Sequence, residues 1–165
     1  MERNKKIAIV AIILLVLLPL FLTAVPTVAA MTKAPYWAHV QVTGTSAPTK
    51  VWFANSIMQA ENMTWVCAYN GTLGVGIIVV NFGHLMVSTV TGQGTFIATW
   101  TITVGDSTLS GTANGRITGG LTGTATGYFA GTHGTGAFAR IEKMGTFVTN
   151  LATGSEDEQG VIIFH

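Results

Sequence analysis

The sequence predicts an all-β chain: a closed antiparallel β-barrel of about eight strands, preceded by an N-terminal signal peptide or membrane anchor helix. Three observations carry that expectation. From Gly94 to Asn150, threonines alternate with apolar residues and glycines in segments separated by glycine turns, and a period of two is the mark of a strand with one face buried. Charged residues are only 9% of the chain, against roughly 25% in an ordinary soluble domain, so threonine supplies the polar surface. Finally, a basic N-terminus runs into an uncharged apolar stretch, the layout of an export signal.

That leading segment comprises residues 1–30. Arg3, Lys5 and Lys6 precede the apolar run Ile7 to Leu22, which is interrupted by Pro19 and followed by Pro26. Val28 and Ala30 occupy the small-residue positions before a cleavage site, which places the cut after Ala30. Residues 31–165 then form a single barrel domain. The alternative is an uncleaved anchor, because the run approaches the roughly 17 residues needed to span a membrane. Either way the domain is secreted or extracytoplasmic, touching a membrane only through residues 7–22, with the basic end held inside.

Residues 31–165 carry five basic side chains and six acidic ones, a net charge of −1. No basic cluster exists to neutralise phosphates, which argues against nucleic-acid binding. The lone Cys67 has no intramolecular partner, and its apolar and aromatic neighbours predict a buried thiol.

Taken in order, the first strand is Trp37 to Gly44, where Ala38, Val40 and Val42 alternate with His39, Gln41 and Thr43. Ser46 to Pro48 ends it. Val51 to Ala54 reads as a short second strand, and the more polar Asn55 to Asn62 as a loop or a turn of helix. Met63 to Tyr69 and Thr72 to Val80 flank Asn70-Gly71, a dipeptide suited to a type I′ turn, so a hairpin is expected there. Its second arm is almost continuously apolar, which implies burial on both faces or a contact between copies. Asn81, Gly83 and His84 break this run before Leu85 to Val90, a further strand.

Thr95 to Val104 alternates most regularly, with Phe96, Ala98, Trp100 and Ile102 on one face. Gly105 to Ser107 turns the chain into Leu109 to Thr118, and Gly119-Gly120 turns it again into Leu121 to Phe129. Glycine at inward positions of a small barrel makes room for a large neighbour. The predicted core is therefore Phe96, Trp100, Ile102, Leu109, Ile117, Leu121 and Phe129. Ala130 to Arg140 reads as a glycine-rich structured loop, Met144 to Asn150 as a strand, Ser155 to Gln159 as an acidic turn, and Val161 to Phe164 as the closing strand. Closure against an early strand removes exposed edges.

The motifs Gly94-Thr95-Phe96, Thr99-Trp100-Thr101-Ile102, Leu109-Ser110-Gly111-Thr112, Gly115-Arg116-Ile117-Thr118-Gly119-Gly120 and Gly134-Thr135-Gly136-Ala137-Phe138 resemble, in their order, the allene oxide cyclase and dirigent-like barrel superfamily. The resemblance spans roughly residues 92–150. It implies an eight-stranded barrel that self-associates and holds an apolar ligand. Plant members of that group act on oxylipins or guide radical coupling, but no catalytic carboxylate aligns to a particular residue here, and a fold does not transfer an activity.

Candidate chemistry is sparse. Glu61, Asp106 and Arg116 are the available catalytic side chains, although the alternation puts Arg116 on the threonine face. Trp65, Trp100 and Phe129 are the candidate ligand contacts. Asn62 and Asn70 head glycosylation sequons, Asn70 being equally explained as a turn residue. His39, His84, His133 and His165 show no metal-ligand spacing and no cysteine cluster joins them, so neither a metal nor a cofactor is predicted. Ser88 and Ser110 lack a nucleophile-elbow context. These features favour a non-catalytic structural or small hydrophobic ligand-binding module at the cell surface. The alternative is a cyclase-like or dirigent-like enzyme. A lumen with a buried carboxylate beside Asn or Tyr would favour the enzyme, a lumen filled by Phe, Trp and Leu would sink it, and a third idea is a homo-oligomer built on Leu73 to Val80.

Overall fold

The computed structural model describes residues 31–165, and the predicted signal or anchor lies outside them. Ten antiparallel strands follow one another: β1 Thr32–Thr45, β2 Lys50–Ala54, β3 Ile57–Glu61, β4 Met63–Gly71, β5 Gly74–Ser88, β6 Gly94–Val104, β7 Ser107–Thr118, β8 Thr124–Gly134, β9 Ile141–Asn150 and β10 Ser155–Phe164. Eight close into a barrel in the cyclic order β1, β4, β5, β6, β7, β8, β9, β10, which β10 completes by pairing with β1. No helix among the described residues is long and apolar enough to cross a membrane.

The remaining two strands form a flap. β5 pairs with β4 as far as Phe82, and with β3 from Leu85 to Ser88. A bulge between Phe82 and His84 separates the two registers against β6, so the predicted break at residues 81–84 is a bend within one long strand. An extra residue there re-aims the chain without ending it. The segment Asn55 to Asn62, expected as loop or helix, is the turn and second arm of the β2–β3 hairpin. Asn55 and Ser56 both take left-handed angles, φ 48° and 62°, which is the type I′ geometry without its usual glycine.

Several boundaries move for similar reasons. In the β4–β5 hairpin, Gly71 faces Gly74, so the connection is Thr72-Leu73 rather than Asn70-Gly71. Gly74 takes the positive φ of 117°, and a Cβ on Gly71 would lie 2.5 Å from the Trp37 carbonyl. Residues 130–140, expected as a loop, contain the end of β8 and a single 3-10 turn, Gly136–Phe138. The expected acidic turn at 155–159 is the first half of β10, paired with both β1 and β9.

Phe96, Trp100, Ile102, Leu109, Ile117 and Phe129 are buried as predicted, and so is Cys67. Leu121 is not: it lies in the 3-10 turn Gly120–Thr122, 52% exposed, outside the β8 alternation. Inward glycines seat the aromatics. A Cβ on Gly115 would press on Phe96, one on Gly131 on Trp100, one on Gly127 on Phe147 and one on Gly145 on Phe129, all at 2.8 Å or less. On β5, Ile78 is buried while Val75 and Ile77 are 74% and 52% exposed. Burial on both faces therefore does not occur within the chain.

Candidate functional site

The lumen is hollow at one end. A cavity of about 210 Å³ is bounded by Val40 and Val42 of β1, Trp65 and Cys67 of β4, Phe82 and Leu85 of β5, Phe96 and Trp100 of β6, and Phe129 of β8. Leu121, Leu151 and Gly154, from the β7–β8 and β9–β10 connections, stand at its rim. Its carboxylates are Glu156 and Glu158 of β10, and Thr149 of β9 completes the polar wall.

Strand alternation explains how charge reaches the interior. On β10, Glu156, Glu158 and Ile162 point inward while Asp157 and Gln159 point to solvent. On β9 the inward set is Ile141, Lys143, Phe147 and Thr149. Thr149 and Glu156 are direct cross-strand partners, and the threonine hydroxyl donates to Glu156 Oε2. Lys143 lies opposite Ile162, and the next inward pair toward Glu158 is Gly145 opposite Gly160. With no side chains on that pair, the Lys143 chain reaches across to Glu158.

Lys143 is wholly buried, and its Nζ donates to Glu158 Oε2 and to the Tyr36 hydroxyl, 2.9 Å in each case. The Tyr36 hydroxyl donates to the same Oε2. Tyr69 lies 3.2 Å from the Tyr36 oxygen and, since that proton is committed to Glu158, is the donor. The ammonium also sits 4.3 to 4.6 Å from the ring centres of Trp100, Phe129 and Tyr36, an arrangement in which ring faces attract a cation. Lys143, Tyr36 and Tyr69 do not border the cavity, so Glu158 is the member that joins this cluster to the lumen.

Burial governs the ionisation of these groups. It pushes the Lys143 ammonium below its ordinary value, against the opposing pull of Glu158. The Tyr36 phenol is raised by burial and by Glu158, and Tyr69 is pushed up to about 12, mainly by burial. Burial, with the neighbouring Glu158 charge, raises the Glu156 carboxyl to about 7. Cys67 is pushed up to about 12 by burial and by the two glutamates.

Of the residues singled out from sequence, Trp65, Trp100 and Phe129 all border this cavity. Glu61 closes β3 opposite Lys50, Asp106 is exposed in the β6–β7 turn, and Arg116 is exposed on β7 between Thr95 and Thr126. None of the three borders the cavity, and they are not brought together. Asn62 is exposed with φ 55° and donates to Thr49 Oγ1 at 3.0 Å, while Asn70 is exposed on β4. His39 pairs with Asp157 at 2.8 Å on the outer surface, His84 meets Gln59 at 3.2 Å, and His165 meets Glu142 at 3.3 Å. No group of three or more His, Cys, Asp or Glu among the described residues is placed to hold a metal.

Sequence reasoning missed Tyr36, Tyr69, Lys143, Glu156 and Glu158. The available signal was polar residues at inward positions of otherwise apolar alternation. No protein-family model matches the chain, and no curated protein matches its sequence.

Proposed function

We propose that the chain is an exported, non-catalytic module that binds a small hydrophobic ligand inside the barrel. The observation that carries this reading is the apolar cavity of about 210 Å³ with two carboxylates in its wall. Protein interiors are otherwise close-packed, and a cavity near 150 Å³ is enough to take up benzene. The basic and apolar leader supports export. The exposed Val75 and Ile77 support self-association, which sedimentation at high concentration tests; a monomer there overturns it.

The direct experiment is titration with 2-phenylethanol, read by fluorescence of Trp65 and Trp100 and by the thermal midpoint. Saturable binding is expected in the wild type and not in Ala113→Leu, which adds bulk at the cavity wall. A folded wild type that takes up no such molecule overturns the reading.

A second reading, a cyclase-like or dirigent-like enzyme, draws on Glu158, a buried carboxylate beside Tyr36 of the kind that favours an enzyme, and on Glu156. A carboxyl with a value of about 7 beside an apolar cavity is matched to proton transfer near neutrality. Phenylacetone incubated in heavy water tests it. Catalysed exchange next to the carbonyl, lost in Glu156→Gln, supports an enzyme; exchange at the buffer rate leaves the binding module.

A further inference from the structure

The ionisable oxygens that border the cavity are two carboxylates, Glu156 and Glu158. Glu158, only 4% exposed, has Oε2 saturated by Lys143 and Tyr36, while its Oε1 accepts from no group among the described residues. Glu156 is arranged likewise: Oε2 accepts from Thr149, and Oε1 accepts from no group among the described residues. The Trp100 indole N–H is already spent on the Thr112 carbonyl at 3.0 Å. Lys143 does not border the lumen, and its charge is matched by Glu158 within their own cluster. No fully buried side-chain oxygen among the described residues lacks a partner, so these two free oxygens are not sealed off, and both belong to residues that line the same apolar space.

We propose that the ligand is a hydrophobic amine, its ring or short chain filling the aromatic lumen and its ammonium seated between Glu156 and Glu158. The inference rests on the ligand-binding reading above and adds the chemical class. An ammonium brings three donors to two free carboxylate oxygens. Its charge balances the second glutamate, which Lys143 alone does not. Trp65, Phe82, Phe96, Trp100, Phe129 and Phe147 around the lumen offer ring faces to the alkylammonium and to an aryl group. A carboxylate ligand would instead meet two acceptors and a like charge. Scaled from benzene in a cavity near 150 Å³, the available space suits about eight non-hydrogen atoms, with the polar end seated at the wall.

Besides burial, the groups that set the charge of Glu156 are Glu158 on its own strand, the Thr149 hydroxyl and Lys143 from β9, and Asp157 on its own strand; Cys67 of β4 lines the same cavity, and β1 presents Val40 opposite it. Seating an ammonium against Glu156 favours its ionised form. Amine affinity therefore rises with pH as that carboxyl loses its proton, and falls when the solution is acidified.

The test compares phenethylamine, 2-phenylethanol and phenylacetate, three probes of nearly equal size, by calorimetry at about pH 8, on the ionised side of the glutamate. The amine should bind at least about tenfold more tightly than either other probe, as expected for charge-assisted hydrogen bonds. Glu156→Gln should remove most of that advantage, weakening the amine by a larger factor than the alcohol. In the wild type, which involves no refolding question, the amine's advantage should shrink on going to about pH 5.5. Alcohol or acid binding as tightly as the amine overturns the inference and leaves the hydrophobic-ligand reading standing. An amine preference that neither the substitution nor acid diminishes overturns the assignment to Glu156 and Glu158. Failure of all three probes overturns both readings.

Discussion

Lys143 and Glu158 meet at 2.9 Å inside the barrel by reaching across Gly145 and Gly160, a facing pair with no side chains. The contact thus depends on two glycines as much as on the two charges. It anchors Glu158 by one oxygen, leaves the other toward the lumen, and fills the space beneath Trp100 and Phe129 with a cation rather than a void.

Breaking this pair from one side should be expensive. Lys143→Met leaves Glu158 with only the Tyr36 hydroxyl, and Glu158→Gln leaves a buried ammonium facing a neutral amide. Each should cost about 3 to 5 kcal/mol in urea denaturation, the range for orphaning a buried charge. The double variant should lose markedly less than the sum, since neither charge is then stranded. Additive losses would show that the pair is not energetically coupled.

The inward glycines make a second, steric prediction. A Cβ on Gly131 would lie 2.2 Å from the Trp100 ring, whose N–H is fixed to the Thr112 carbonyl. Gly131→Ala should therefore lose about 1 to 3 kcal/mol and alter the near-ultraviolet signal of Trp100. Gly83→Ala is the control, because nothing lies within 4 Å of its added carbon; its effect should stay within about 0.5 kcal/mol. Equal effects would contradict a packing role for the inward glycines.

Cys67 is buried, with its thiol pushed up to about 12. The thiolate is the reactive species. Native protein at about pH 8 should therefore resist alkylation that goes to completion once the chain is unfolded in urea. Rapid labelling of the native state would mean that the lumen opens to reagent.

Alternation made most of the barrel legible. Phe96, Trp100, Ile102, Leu109 and Ile117 fall on the buried face because threonine and other polar residues mark the outer face at nearly every second position, Ile97 excepted. The same rule was abandoned where charge was dense. Ser155 to Gln159 read as a turn, although counting back by twos from Ile162 reaches Gly160, Glu158 and Glu156, the inward set. Lys143 lies in the same register as Phe147 and Thr149, and Tyr36 stands one residue before the predicted start of β1. Hydrophobic pattern locates a core only when the core is apolar, whereas a buried ion pair inverts the signal. Their convergence was beyond single-strand reasoning, since Tyr36 and Glu158 are 122 residues apart. Turn chemistry failed more narrowly: Asn55-Ser56 adopts the angles expected at Asn70-Gly71.

Glu156 also gives stability a defined pH dependence. Its folded value, about 7, lies above the ordinary 4.5 because burial and Glu158 disfavour the charge. The folded state therefore binds more protons than the unfolded state between those values, and stability falls as pH rises through that window. The group's favourable contribution is complete below about 4.5, is lost on passing about 7, and spans on the order of 3 kcal/mol at 1.36 kcal/mol per unit. Lys143, whose value is lowered, acts in the opposite sense at higher pH, but it is common to wild type and Glu156→Gln and cancels in their difference. Glu156→Gln keeps an acceptor for Thr149 and cannot ionise. Its stability relative to wild type should therefore increase between about pH 5 and pH 8, measured by urea denaturation at each pH. A difference independent of pH would mean that Glu156 is ionised at its ordinary value and well solvated, and would remove the reason to expect ligand affinity to change near neutrality.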